Sequence, residues 1–285
     1  MEPDVTFLIP VRNGENFIAE AIESIRCQTY TNWTLLVRDN LSRDQTREIV
    51  REYMSDPRIR LLEGNRELSM AGNFNRCLNE VHTPYYMLLC HDDYLAAPHA
   101  LQAAREVMRE HGSSLPTVYC DLEYVNRDRE RIATRRFGRS GLVDAMTLAR
   151  SSILNARNLF GIPLLASTAA LREHRYDETL PYAIDLDLSI ATAKGSPVFY
   201  IPEPLIANRY HDHNSTGALL QGVVDQMIAL ADRHGIELDG LDRARVRLGA
   251  TYANWAKRAF LYYARARKSA GSGATRLGIA NAKTQ

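Results

Sequence analysis

A pattern met three times before residue 95 limits the fold of this chain more than any other feature. A short apolar run stops at a polar cluster, and an amphipathic helical stretch follows. Val5 to Val11 (VTFLIPV) stops at Arg12-Asn13-Gly14-Glu15. Phe17, Ile18, Ala21, Ile22 and Ile25 then recur at helical spacing. Trp33 to Val37 stops at Arg38-Asp39-Asn40, ahead of a helix carrying Ile49, Val50 and Tyr53. Tyr85 to Cys90 stops at His91-Asp92-Asp93, and a helix over Pro98 to His111 is closed by Gly112. Between these, Arg58 to Leu62 reads as a strand and Ala71 to Val81 as a helix. Such alternation predicts an α/β chain whose sheet is mixed, mainly parallel and flanked by helices. In sheets of this kind ligands bind beyond the carboxyl ends of the strands. Arg12-Asn13, Asp39-Asn40 and Asp92-Asp93 are thereby set on one rim.

The second half is less regular. Thr117 to Val125 is strand-like, and Arg127 to Arg139 holds six arginines and reads as an exposed loop. Leu142 to Leu154 reads as helix and Pro163 to Leu171 as strand. Tyr182 to Ala193 has Asp185-Leu186-Asp187 near a helix start. Val198 to Ile201 and Leu205 to Tyr210 read as two strands, with His211 and His213 just after them. A helical pattern then runs from Leu219 to about Arg267. Ser42 with Gln45 has capping-box spacing, with Asp44 as a rival cap of the second helix.

Composition narrows the partners. A net charge of +1 gives no general reason to expect nucleic acid as a partner. Cys27, Cys77, Cys90 and Cys120 show neither C-x-x-C pairing nor zinc spacing, which fits reduced thiols in a cytoplasmic setting. The chain enters its first strand from Glu2-Pro3-Asp4 with no leader-like stretch, and no apolar run approaches a membrane span.

The first strand-to-helix turn lacks G-x-G-x-x-G and also the P-loop pattern, having only Gly14. A nucleoside diphosphate on this rim therefore needs its charge neutralised in another way. A divalent cation held by Asp92-Asp93 is the economical one, and oxygen donors suit Mg2+ or Mn2+.

IPVRNGENFIAEAIESIRCQTYTNWTLLVRDNLSRDQT resembles the N-terminal half of the family 2 glycosyltransferases, which have the GT-A fold. The matching pieces are Pro10 with Asn13, Ser24-Ile25 with Gln28-Thr29, and Asp39-Asn40 with Ser42, Asp44 and Thr46. GNFNRCLNEVHTPYYMLLCHDDYLAAP is similar to the segment leading into that family's acidic metal motif. PYAIDLDL resembles its "E-D-x-D-L" stretch, and Arg209-Tyr210-His211 with Ser215 its "R-x-H-x-x-x-S" element. The likeness covers about Val5 to Ser215. Two departures stand out: Cys90 where a carboxylate is usual, and Ile184 in place of the Glu.

The resemblance implies a metal-dependent, inverting transferase. Its donor would be a nucleoside-diphosphate sugar, UDP first and dTDP next, and its acceptor a saccharide or lipid-linked glycan of surface polysaccharide synthesis. Asp39 would meet the ring N–H of the base, and Pro10, Val11, Arg12, Asn13, Glu15, Asn40 and Arg76 would line the nucleotide site. Asp92 would sit at the ribose or donor sugar, Asp93 would bind Mn2+ or Mg2+, and His211 would be a further ligand. Asp185 would be the general base. Asp187, two residues on, does not share its helix face and reads as a solvent-facing or cap residue.

The resemblance also divides the chain. Residues 1–216 would be catalytic, with a donor half over about 1–98 and an acceptor half over about 99–216. Residues 217–268 would be a helical extension and 269–285 a flexible tail. Two roles stay open for the arginine-rich stretch, a solvated surface or a contact for an anionic acceptor. Tyr252, Trp255, Ala259, Tyr262 and Tyr263 beside Lys257, Arg258, Arg265 and Arg267 leave packing on the catalytic domain, a homodimer contact, or a peripheral contact with the inner face of the cell membrane. Two other functions fit a similar sheet: a sugar-nucleotide nucleotidyltransferase, which a single Gly14 disfavours, and a binding relative without turnover.

Overall fold

The computed structural model describes residues 2–171, 173–180, 183–210 and 222–256. The first half runs β1 (Val5–Val11), α1 (Ile18–Arg26), β2 (Trp33–Asp39), α2 (Thr46–Tyr53), β3 (Ile59–Glu63), α3 (Met70–Leu78) and β4 (Tyr85–Leu88). β5 (Tyr94–Leu95), α4 (Ala100–His111), β6 (Thr117–Val125), β7 (Arg131–Arg135), β8 (Gly141–Asp144) and α5 (Ala145–Leu154) follow. The rest comprises β9 (Pro163–Ser167), α6 (Thr168–Leu171), α7 (Ile184–Ala193), β10 (Pro197–Arg209), α8 (Val223–Arg233) and a helix over 240–256, here α9.

One sheet carries the strands in the order β3-β2-β1-β4-β9-β6-β10-β5, with β7 paired to β6 and β8 to β10. The stretch β3-β2-β1-β4 is parallel throughout, and β9 then runs antiparallel to both β4 and β6. Every residue of β1 is buried. A central parallel strand covered on both faces needs this continuous apolar run. Ile18, Ala21, Ile22 and Ile25 of α1 close one face, where Phe7 meets Trp33 edge-on at 6.1 Å.

Because β2 lies on one side of β1 and β4 on the other, the winding reverses at β1. A crevice opens there at the carboxyl ends of β1 and β4. Gln28, just past the end of α1, ties that helix to the segment after β5. Its Nε2 donates to the Ser24 and Ala97 carbonyls and its Oε1 accepts the Leu101 N–H, all at 3.0 Å. Ser24 Oγ accepts the Leu95 N–H at 3.1 Å. The Ser-x-x-x-Gln motif of α1 is thus a clamp on the chain just after Asp92-Asp93.

Several elements differ from the sequence reading. Part of the arginine-rich stretch is β7, an edge strand hairpinned onto β6, rather than loop. Residues 141–144 form β8 instead of a first helical turn. Asp144 caps α5, accepting the Thr147 N–H at 2.7 Å. The two strands read after Val198 are one, β10, whose pairing with β6 shifts register around Pro204. The helical pattern after 219 breaks at Gly235, which has φ +69°, between α8 and α9. Among the described residues no helix is long and apolar enough to cross a membrane. Tyr252 and Trp255 on α9 are exposed and do not pack on the sheet domain; Ala259, Tyr262 and Tyr263 lie outside the described residues.

Candidate active site

The turn after β1 is locked to the turn after β2. Asn13 takes a left-handed backbone (φ +53°), donates its N–H to Ser42 Oγ at 2.9 Å, and accepts the Arg43 N–H on Oδ1 at 2.9 Å. Gly14 N–H donates to Thr46 Oγ1 at 2.8 Å. Glu15 N–H donates to Asp44 Oδ2 at 3.1 Å, while Glu15 Oε2 accepts the Gln45 N–H at 3.0 Å. Ser42 therefore serves Asn13 rather than a capping box, and Asp44 accepts the Thr46 N–H at the start of α2. Only glycine fits at 14, where an added Cβ would lie 2.6 Å from Val11 Cγ2 and 2.7 Å from the His91 ring. The close approach seats the acidic segment against the first turn.

These turns border a cavity of about 1100 Å3. Pro10, Val11, Arg12, Asn13, Asn40, Asp92, Asp93 and Asp185 all line it. Arg12 pairs with Glu67 across its mouth, Nη2 to Oε2 at 2.7 Å. Asn40 holds the facing loop with two bonds to the Leu68 backbone, each 3.0 Å. Three expected nucleotide residues are not in the lining. Asp39 is 1% exposed and accepts the Ser42 N–H; Glu15 is spent on the turn; Arg76 is exposed on α3. His211 lies outside the described residues.

Sequence reasoning missed Asn73 of α3. It lines the cavity, is 5% exposed, and its Oδ1 has no hydrogen-bond partner among the described residues. A buried carboxamide in this state is poised for a ligand. The only signal in the sequence was a polar residue on the apolar face shared by Ala71, Phe74 and Cys77.

Donor atoms of Cys90, Asp92 and Asp93 lie within 4.8 Å of one another. Asp93 is 4% exposed, and its carboxylate accepts from Asn208 Nδ2 at 3.0 and 3.1 Å and from the Arg209 N–H at 2.9 Å. Burial, followed by the Asp92 charge, raises its carboxyl well above the ordinary range, against the bonds from Arg209 and Asn208. Arg209, itself 1% exposed, ties the segment down. Its Nε donates to the Asp92 carbonyl at 2.9 Å, Nη1 to the Arg127 carbonyl at 2.8 Å, and Nη2 to Glu20. Two crowded carboxylates at a buried wall are the donor set a hard divalent cation relieves, so the residues present fit one.

Across the cavity, Asp185 opens α7. Its side chain reaches solvent through the cavity and has no hydrogen-bond partner among the described residues. The protein walls around it still push its carboxyl up to about 6. Asp187 is not solvent-facing. It is buried, accepting from Arg233 Nη1 at 2.9 Å and pairing with His234 Nε2 at 2.7 Å. One carboxylate faces the cleft, and the other pins α7 to α8. Of the arginine-rich stretch, Arg127 and Arg135 reach the cavity, while Arg129 pairs with Glu20 at 2.7 Å and Arg131 with Glu123 at 3.7 Å.

The same fold is found in solved structures. S. aureus TarS with UDP-GlcNAc superposes with a TM-score of 0.66 at 15% identity, over 86% of this chain and 70% of that one. The Pyrobaculum calidifontis mannosyltransferase PcManGT, with GDP-Man and Mn2+, gives 0.61 at 20% identity, over 96% and 76%. The chain therefore has the GT-A fold. Residues 6–178 match the family model of Glycosyl transferase family 2, more than half of the chain, and the protein belongs to that family. An uncharacterized glycosyltransferase of Rickettsia typhi is 27% identical over 222 residues, 76% of this chain and 67% of its own length. The Escherichia coli UDP-Glc:alpha-D-GlcNAc-diphosphoundecaprenol beta-1,3-glucosyltransferase WfgD is 34% identical over 124 residues, 44% of this chain and 47% of its own. The nucleotidyltransferase reading falls with this assignment.

Proposed function

We propose that this glycosyltransferase moves a sugar, with inversion, from a UDP-sugar (dTDP next) to a hydroxyl of a saccharide or lipid-linked glycan. The observation that carries the reading is Asp185, a cavity-facing carboxylate with a raised pKa, across from Asp92 and Asp93. Asp185 accepts the proton of the attacking hydroxyl as its oxygen bonds to the anomeric carbon and the bond to the diphosphate breaks. Asp93 and Asp92 hold Mn2+ or Mg2+, which when bound offsets the charge of the departing diphosphate. Pro10, Val11 and Asn13 border the nucleotide, and Asn73 supplies the buried amide that a base or ribose can satisfy.

Uridine is favoured by the donors of two similar proteins, TarS with UDP-GlcNAc and the E. coli enzyme with UDP-Glc. Mn2+ accompanies GDP-Man in the mannosyltransferase. Thermal-shift screening of UDP-, dTDP- and GDP-sugars with and without Mn2+ tests the proposal. Stabilisation by a UDP-sugar that needs the metal is expected. Stabilisation by none of them would favour a binding relative that lost turnover.

A further inference from the structure

Charge is divided unevenly along this chain. Residues 243–285 hold ten Lys and Arg and no Asp or Glu, so residues 1–242 carry a net charge of −9 although the whole is +1. A split of this size points to a partner that the basic stretch meets and the body does not. α9 is where the described structure enters that stretch.

One side of α9 is committed. Val246 and Ala250 are buried among Leu148, Ala149 and Ile153 of α5, and a Cβ on Gly249 would sit 2.8 Å from the Leu154 carbonyl oxygen. Asp242, the last acid of the chain, pairs with Arg150 at 2.5 Å. The opposite side carries Leu241, Leu248, Tyr252 and Trp255, which are 82, 71, 64 and 66% exposed. At about 100° per residue these four fall within an arc of about 60°. Arg245 and Arg247 lie on either side of that arc, and both are exposed.

From this geometry we propose that the outward stripe of α9 docks on an anionic lipid surface. Leu248, Tyr252 and Trp255 enter the interface and the surrounding arginines meet lipid phosphates. A ridge of large apolar and aromatic side chains flanked by cations is what a helix lying in a bilayer interface requires. Nucleic acid would use the cations and have little use for Leu241 and Leu248. A second copy would bring the same positive charge against itself. No described helix is long or apolar enough to cross a bilayer, so the contact is peripheral. It would hold the catalytic cleft beside acceptors embedded in the same membrane.

The test uses the full chain and vesicles of phosphatidylcholine, alone or with about one third phosphatidylglycerol, at about 0.1 M and 0.5 M salt. Sedimentation with the anionic vesicles alone is expected, weakened at the higher salt. The protein has two tryptophans, and Trp33 is 1% exposed. A blue shift of tryptophan emission on binding therefore reports Trp255. The double variant L248E/Y252E should lose at least about tenfold in vesicle affinity. Its melting temperature should be unchanged, because both side chains are exposed. Absence of vesicle binding overturns the proposal, as does undiminished binding by the double variant. A vesicle-independent dimer that the double variant dissolves would assign the stripe to a second copy. RNA binding that survives the substitutions, with no vesicle binding, would assign the basic stretch to nucleic acid.

Discussion

Asp185 carries the sharpest consequences at the level of single residues. As the proposed base, Asp185 must be ionised to accept a proton, and its carboxyl is raised from 3.8 to about 6. Transfer should therefore fall about tenfold per pH unit below about 6, measured as the initial rate at saturating donor. Asp185→Asn should lower turnover by about 10²–10⁴-fold, leave donor binding intact, and remove that acid limb. Stability should move the other way. A folded carboxyl with a raised pKa binds its proton more tightly than the unfolded chain does, so its ionisation opposes folding. The penalty is absent below about pH 3.8, grows as pH rises towards 6, and is complete above. Asp185→Asn should thus melt higher than the parent at pH 7.5 and equal to it near pH 3.5. Equal turnover in the variant would move the base elsewhere.

Elements hold these residues in place, and here the sequence was legible in some parts and silent in others. The three strand ends on one rim could be read because β1, β2 and β4 are short apolar runs cut off by Arg12-Asn13, Asp39-Asn40 and His91-Asp92-Asp93. Residue type alone misleads at Arg209 and Asp187. Both are normally surface residues, and both are buried here by partners distant in sequence: Glu20 for Arg209, and Arg233 with His234 for Asp187. Pro202-Glu203-Pro204 looks like a break in the sequence, whereas the sheet takes it up as a register shift within β10. No sequence pattern tells that the Asp39 carboxylate also accepts the Ser42 N–H.

Two element-scale substitutions follow from the contacts. Asp187→Asn removes the charge and one of the two acceptor oxygens that tie α7 to α8 and sets an amide N–H against Arg233 or His234, while Arg233 keeps its bond to Asp177. A loss of about 1–3 kcal/mol is expected in denaturant titration, with a smaller drop in turnover than for Asp185→Asn. Gly14→Ala forces the His91 ring from its seat, since the new methyl would lie 2.7 Å from it. It should cost about 1–3 kcal/mol and weaken metal-dependent donor binding, read by titration of UDP-sugar fluorescence competition.

On the scale of the whole molecule, the cleft joins two parts of one sheet through a few bonds. Asp93 stands at the end of the parallel half but is held by Asn208 and the Arg209 N–H at the end of β10, beyond β9 and β6. Arg209 continues that tie to Glu20 on α1 and to the Arg127 carbonyl after β6. A ligand bridging Asp92-Asp93 and the turn after β1 therefore adds its binding energy to the contact between the two parts, and melting should register it. At about 100 times its Kd, a sugar nucleotide stabilises by about 2.7 kcal/mol if only the folded state binds it. With Mn2+ and a UDP-sugar together the melting temperature should rise, and EDTA should return it to the unliganded value. Asp93→Ala should lower the unliganded melting temperature, because it strips the Arg209 N–H and Asn208 of their acceptor. The assignment of Asp93 rests on the second half of that experiment. The increment from metal plus donor should vanish in Asp93→Ala, and an undiminished increment would mean that the cation is held by other groups.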